Sequence, residues 1–402
     1  MDKKKLMTIG LITLFCFIIL IPSIYYLYNY FRIKNAKIFV ELVDNREVEV
    51  FEKKYISDFI KSINGKLEKD NLISTNKLGE KEITFSYVNV DKIKVNYSFK
   101  IKVVDKTKPL IVVPSTYAVT EGYNKDLSKE FFCGDNYDDE PICKIEGEYN
   151  TDKIGTYNLK YIAQDKSKNI STQEFILKVK KKEKNKPSKQ ETKYIDFNDI
   201  VKEHKKNNTK IGIDVSHWQG NIDFKKVKNA GVEFAFIRVG TENSEGELYL
   251  DKKFENNIKG FNKEKIPVGI YYYSYADSVE KAKKEAKWVL KQIKKYKIDL
   301  PVVFDWENWS NYREFNLSFY SLTKVANTFL KEVEKAGYEG MLYSSKYYLE
   351  NIWHKTKYKT WLAHYTAKTN YEGDYYIWQL CSNGKVEGIP DNTVDLNIMY
   401  KK

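Results

Sequence analysis

The chain has 402 residues, room for two to four domains of ordinary size. Apolar residues make up 42% and charged residues 31%, which excludes a largely disordered or collagen-like protein. Lys and Arg outnumber Asp and Glu by 68 to 55, and the net charge of +13 favours an anionic partner or surface. The four Cys and four His form neither C-x-x-C nor H-E-x-x-H, so no metal or cofactor is expected.

Three lysines, Lys3 to Lys5, precede 26 residues without a charge, Leu6 to Phe31. As a helix this run would extend about 39 Å, against a hydrocarbon core of about 30 Å. Tyr25, Tyr26, Tyr28, Tyr30 and Phe31 stand where an interfacial belt belongs. No small-x-small cleavage site follows, so residues 1–36 are expected to be a cytoplasmic tip and an uncleaved transmembrane helix, with the remainder extracellular.

Residues 37–180 contain an internal repeat. Asn76-Lys-Leu-Gly79 returns as Asp152-Lys-Ile-Gly155, and Phe99-Lys-Ile-Lys-Val103 returns as Phe175-Ile-Leu-Lys-Val179, both 76 residues later. Alternation at Ile83, Phe85, Tyr87 and at Tyr157, Leu159, Tyr161 marks half-buried strands. The second copy, 105–180, with Asp105-Lys-Thr-Lys-Pro109 and Asp165-Lys-Ser-Lys-Asn169, resembles the bacterial immunoglobulin-like domains of surface proteins. The first, 37–104, is a more divergent copy. The resemblance implies two all-β domains without catalytic groups, serving as spacers or wall contacts. Cys133 and Cys143 bracket an acidic loop, Gly134 to Ile142, that the first copy lacks. Three readings stay open for it: a disulfide across the loop, a calcium ion held by Asp135, Asp138, Asp139 and Glu140, or a solvated acidic turn.

Six lysines between Lys180 and Lys189 read as the start of a charge-extended linker, 181–208. Without interleaved aromatics this is not a nucleic-acid arm, and no nucleic-acid partner is expected. From Lys210 the pattern becomes strand-then-helix. Strands are expected at 211–215, 234–239, 267–273, 300–304, 340–343, 361–365, 376–380 and 393–396. Helical stripes occur at Ala282, Ala286, Val289, Ile293 and at Leu322, Val325, Phe329, Val333. Eight strands with helices between the early ones predict a parallel β/α barrel over 209–402, irregular toward its C-terminal side. All seven Trp lie in this part of the chain.

Barrel chemistry sits where strands end. Carboxylates occupy such positions repeatedly: Asp214 on the first strand, Asp305 and Glu307 leaving the fourth, Asp395 in the last. Asp305 and Glu307 share one side of a continuing strand, roughly 6.6 Å apart, with Trp306 facing the other way. Two acids facing one pocket suit glycosidic cleavage, and crowding among four would keep one protonated near neutral pH.

Gly212-Ile-Asp-Val-Ser-His-Trp-Gln-Gly220 is similar to the opening motif of the glycoside hydrolase family 25 lysozymes. Phe234-Ala-Phe-Ile-Arg238, Pro267 to Ala276, Pro301-Val-Val-Phe-Asp-Trp-Glu307, Trp361-Leu-Ala-His-Tyr365, Trp378-Gln379 and Val394-Asp-Leu-Asn397 follow in that family's order. The resemblance covers about 210–400. It implies an irregular TIM-like barrel that hydrolyses the β-1,4 bond from N-acetylmuramic acid to N-acetylglucosamine in peptidoglycan. Carried over by position, Glu307 is the general acid/base and Asp305 stabilises the intermediate. That intermediate forms with either Asp305 or the substrate's own acetamido group. Asp214 and Asp395 support the pair, and Tyr273, Trp378, Tyr365 and Trp306 make up the substrate-binding set. Leu380-Cys381 departs from the expected Tyr-Ser, and Thr241–Leu248 lacks the expected glycine-rich form. His217 reads as a packed or supporting residue, and Cys381 with His364 lacks any thiol-hydrolase signature.

The whole chain thus reads as a membrane-anchored, extracellular muramidase for wall remodelling or local wall opening, with peptidoglycan and anionic wall polymers as partners. The alternatives are a peptidoglycan-binding protein that no longer cleaves and a wall-opening part of an envelope machine.

Overall fold

The structure is a computed structural model that describes residues 3–182, 193–390 and 392–401, with side chains from residue 18 onward. The chain divides into two compact units, Met1–Lys106 and Thr107–Lys402.

The first unit begins with a helix, Lys3–Lys34, which contains Pro22. Among the described residues no helix is long and apolar enough to cross a membrane. The described side chains begin at Ile18, and the stretch to Phe31 is mostly apolar and exposed. The helix turns polar at Asn29, Arg32 and Lys34. The earlier half of the expected span, 6–17, lies outside the described side chains.

Beyond the helix, strands Glu47–Glu49, Lys94–Val104, Gly79–Asn89 and Gly65–Leu67 form one sheet in that spatial order. The first pair is parallel and the others antiparallel. In the second unit, Thr116–Thr120, Ile170–Lys180, Gly155–Gln164 and Ile142–Glu146 repeat the order and the directions. The 76-residue offset of the sequence holds in detail: Phe85, Phe99, Ile101 and Val103 are buried, and so are Tyr161, Phe175, Leu177 and Val179. The hairpin turns match as well. Lys92 and Lys168 both take positive φ, and the Asn89 and Asp165 side chains each accept the amide four residues on, at 2.8 Å. Short Asx side chains favour such turns because they replace a backbone acceptor.

Cys133 and Cys143 are joined in a disulfide, with Cα atoms 6.6 Å apart. The carboxylates of the acidic loop they bracket engage separate partners. Asp135 accepts its own loop's amides from Tyr137 and Asp138, Asp138 pairs with Lys166 at 2.7 Å, and Asp139 accepts the Ser318 amide at 2.7 Å.

The expected linker is shorter than 181–208. Residues 183–192 lie outside the described part, but Ile195–Asp196 adds to the barrel sheet beside Gly384 and Lys385, and Phe197–His204 is a helix. Asp196 caps that helix by accepting the Asn198 amide, and Phe197 and Ile200 enter the barrel core. The barrel strands are β1 Thr209–Val215, β2 Ala235–Glu242, β3 Val268–Ser274, β4 Val302–Trp306, β5 Gly340–Ser345, β6 Lys359–Ala363, β7 Ile377–Lys385 and β8 Val394–Tyr400. Strands β1 to β7 pair in parallel, each with the next. Strand β8 closes the ring antiparallel to both β7 and β1. The all-parallel expectation is corrected here, because the connection 386–393 is shorter than the roughly dozen residues a parallel crossover needs.

Helices α1 Phe224–Asn229, α2 Phe254–Lys263, α3 Val279–Ile293, α4 Phe319–Lys335 and α5 Lys346–Asn351 follow the first five strands. The α3 and α4 stripes seen in the sequence are the faces that bury against the sheet. Inside the ring, Phe234, Phe236, Val303, Met341, Trp361 and Ile377 fill the barrel. Gly269 makes room for them, since a Cβ there would lie 2.2 Å from the Phe236 ring.

Because Phe197 is a core side chain, exposed by only 1%, Phe197→Ala should cost about 3–5 kcal/mol of barrel stability in urea unfolding. A loss within about 0.5 kcal/mol, as for a surface position, would return this segment to the linker.

Candidate active site

At the C-terminal mouth of β1 to β7 the strand ends surround a polar cavity of about 250 Å³. Asp214, Asp305, Glu307 and Asp395 all line it, so the fold brings the four expected acids together. Register does most of this. Asp214 of β1 lies opposite Asp395 of β8, and Asp305 of β4 lies between Tyr273 of β3 and Tyr343 of β5.

Asp214 is buried and held from two strands. Its Oδ2 accepts Asn397 Nδ2 at 2.7 Å and Gln379 Nε2 at 3.0 Å. Asn397 in turn accepts the Trp361 indole N–H at 2.8 Å. Gln379 Oε1 accepts the hydroxyls of Tyr343 at 2.8 Å and Tyr365 at 3.0 Å. Burial pushes the Asp214 carboxyl up to about 6, while hydrogen bonds from Asn397, Gln379 and Asp395 limit the rise. Asp395 is pushed up to about 9 by burial, by the charge on Asp214 and by the hydrogen bond the two share. Near neutral pH, Asp395 therefore carries the proton and donates it to an ionised Asp214.

Asp305 and Glu307 form the second pair. Their carboxyl groups lie in hydrogen-bond contact, nearer to one another than the strand spacing suggests, because Glu307 stands just beyond the end of β4. Asp305 is enclosed, and burial followed by the Glu307 charge raises its carboxyl well above the ordinary range, tempered by Arg238. Water reaches Glu307 through the mouth of the cleft while protein walls its other sides; burial raises its carboxyl, and the hydrogen bond with Asp305 limits the rise. One proton shared between them is the resting state this crowding favours. Asp305 Oδ1 is buried without a hydrogen-bond partner among the described residues, an acceptor facing a site with room for a donor.

Two members of the expected aromatic set line the cavity, Tyr273 and Tyr365. The other two do not, and both are corrected. Trp306 is fully buried on the outer face of β4, donates to the Ala276 carbonyl at 3.0 Å and meets Trp309 edge-on. Trp378 is 3% exposed and also faces outward, because its neighbour Gln379 faces in. It donates to His364 O and packs against His204 of the helix that the sequence reading placed in the linker.

The aromatic that sequence reasoning missed is Trp218, 65% exposed at the cavity rim. Its signal was its place straight after β1, where barrel loops carry sites. Trp218 stacks against His217, whose Nδ1 lies 3.1 Å from Asp251 Oδ2. Asp251 also accepts Arg238 Nε at 2.9 Å, and Arg238 reaches the cavity wall. Burial would raise Asp251, but the Lys253 amide and Arg238 hold it below the usual carboxylate range. Cys381 is buried and outside the cavity, while a bulge after Gln379 brings Ser382 to the lining.

The Asp395 carboxyl has a pH signature. Below its ordinary value of 3.8 the folded and unfolded chains both hold the proton, and between 3.8 and about 9 only the folded chain keeps it. Stability should thus fall as pH rises through that window and level off above it. Urea midpoints measured against pH should show this slope, and Asp395→Asn should reduce it, the remainder coming from Asp214, Asp305 and Glu285, whose carboxyls burial also raises. An equal slope in the variant would remove Asp395 as a source.

A family model described as glycosyl hydrolases family 25 matches residues 213–389. The protein YegX of Escherichia coli strain K12 is 32% identical over 197 residues, spanning 46% of this chain and 68% of that protein. The autolytic lysozyme of Clostridium acetobutylicum is 25% identical over 181 residues, covering 44% of this chain and 52% of the lysozyme, so the match spans about half of that relative. Among solved structures, a family 25 glycosyl hydrolase from Bacillus anthracis superposes with a TM-score of 0.43 at 25% identity, over 50% of this chain and 92% of that one.

Proposed function

The chain belongs to glycosyl hydrolase family 25, and from that premise we propose that it is a muramidase that cuts the β-1,4 bond between N-acetylmuramic acid and N-acetylglucosamine in peptidoglycan. The observation that carries this reading is the pairing of Asp305 with Glu307 at the mouth of the barrel, beside an Asp214–Asp395 pair that holds its own proton.

In the proposed reaction Glu307, the acid nearest water, protonates the glycosidic oxygen as the bond to the sugar's C1 breaks. Two carboxyls in hydrogen-bond contact are closer than the roughly 5–5.5 Å that separates the acid and nucleophile of a double-displacement glycosidase. This favours the substrate's acetamido oxygen as the group that bonds to C1, with Asp305 Oδ1 accepting the acetamide N–H. Water then attacks C1, gives its proton to Glu307 and releases the acetamido group. Trp218 and Tyr365, exposed by 65% and 56%, offer flat faces on which sugar rings can stack.

The two repeats are proposed to be immunoglobulin-like, on the strength of their shared strand order. An outside location held by the N-terminal segment rests on its sequence alone, the lysines before an uncharged run. Contact with anionic wall polymers rests on the net charge of +13. Fractionation of cells producing the full chain checks the location, since recovery in the medium without membrane association would end that part of the proposal.

Purified peptidoglycan incubated with the full chain should release fragments with new N-acetylmuramic acid reducing ends, identified by mass spectrometry. Glu307→Gln should lower the rate by roughly 10²–10⁴-fold. Folded protein that pulls down the wall without cutting it would leave a binding module instead. Trp218→Ala should raise KM several-fold with kcat little changed, since it removes ground-state and transition-state stacking alike.

A further inference from the structure

The second repeat and the barrel belong to the same compact unit, and their contact falls on the segment that follows Glu307. After β4 the chain enters a 3₁₀ stretch, Trp309–Phe315, and then α4. Phe132, next to the disulfide, inserts its ring there. It stacks on Tyr312 at 5.1 Å and Phe319 at 6.3 Å, and lies 6.4 Å from both Trp309 and Tyr348. Gly134 lets the backbone follow closely, since a Cβ there would come within 2.7 Å of the Tyr312 and Phe319 rings.

Polar contacts fix the register of this interface. The amides of Ser318, Phe319 and Tyr320 begin α4, where a helix has no internal acceptors for them. They donate to Asp139 Oδ1 at 2.7 Å, to Asp135 O at 2.8 Å and to Asn136 O at 3.2 Å, all in the disulfide-bracketed loop. In the other direction, Arg313 Nη1 donates to Ser128 O at 2.6 Å. The clamped segment reaches the acid directly. The Trp309 amide donates to the Glu307 carbonyl at 2.8 Å, and the Trp309 ring stacks on Tyr348 at 3.7 Å and meets Trp306 at 4.7 Å.

We propose that the second repeat is a positioning part of the active site rather than a spacer: Phe132 and the Cys133–Cys143 loop clamp the segment 309–320 and thereby hold Glu307 against Asp305. The proposal rests on the reading of Glu307 as the acid of the muramidase. Phe132 and Asp139 touch no substrate and act only through this segment. A displacement of about 1 Å at an acid can cost on the order of 10²-fold in rate, so a clamp that prevents it is worth its own fold.

The test uses the full chain with Phe132→Ala, Phe132→Tyr, Asp139→Ala and, as a control on an exposed part of the same repeat, Lys144→Ala. Carboxyl-carbon NMR follows the titration of Glu307, and peptidoglycan digestion gives kcat and KM. Phe132→Ala and Asp139→Ala should move the Glu307 midpoint toward the ordinary carboxylate range, as water enters, and lower kcat by roughly ten- to a hundredfold with KM within about twofold. Phe132→Tyr and Lys144→Ala should behave as the unaltered chain. A Glu307 midpoint unchanged in folded Phe132→Ala, or in Asp139→Ala should the former not fold, overturns the proposal whatever happens to turnover. If the unaltered chain does not cut peptidoglycan, the muramidase reading fails on its own, and the Glu307 titration still decides whether the clamp acts on this acid.

Discussion

Four carboxyl groups share the open end of one barrel, and the rest of the site is organised around keeping them there. Each would be ionised in water at neutral pH, and four such charges in a cavity of about 250 Å³ would repel one another strongly. The fold answers with protons and amides. Asp395 keeps a proton for Asp214, Asp305 and Glu307 share another, and Asn397 and Gln379 donate to the charge that remains. These partners are themselves pinned by Trp361, Tyr343 and Tyr365, so the aromatic filling of the barrel interior also sets the electrostatics of its mouth.

This arrangement separates two jobs among chemically identical groups. The Asp214–Asp395 pair is tied into β1, β7 and β8 by direct hydrogen bonds, which suits a fixed support. The Asp305–Glu307 pair has an unpartnered oxygen on one member and water access on the other, which suits groups that must exchange a proton with something entering. The difference arises from position along a strand. Asp305 is within β4, whereas Glu307 is one step beyond it, on the segment that also meets the second repeat. The second repeat and the barrel are thus not independent beads, since the loop that distinguishes this repeat from the first is the one that contacts α4.

Much of this was legible in the sequence because it depends on local pattern. Period-two alternation marks the repeat hairpins, since a strand with one buried face must alternate. The 76-residue offset carries even the turn chemistry of Asn89 and Asp165. The eight barrel strands and the buried stripes of α3 and α4 follow from the same periodicity, and the four acids stood at strand ends in recognisable motifs. What was not legible depends on neighbours distant in sequence. Trp378 was expected in the groove, but the parity of β7 turns it outward, where the helix Phe197–His204 covers it. That helix was hidden because its short amphipathic run follows a lysine-rich tract and shows its apolar face only once β7 is beside it.

The amino-acid sequence by itself determined which segments become strands or helices and which residue types are able to do acid chemistry. Both are set by local backbone preference and side-chain pKa, which travel with the residue. Only the tertiary structure decided that β8 runs antiparallel, that Asp395 rather than Asp214 keeps the proton, that Trp218 and not Trp378 faces the cleft, and that Phe132 sits against the segment after Glu307. The reason is common to all four: strand direction, burial and ring contacts are properties of pairs of residues brought together by closing the barrel and docking the repeat, and neither partner carries them alone.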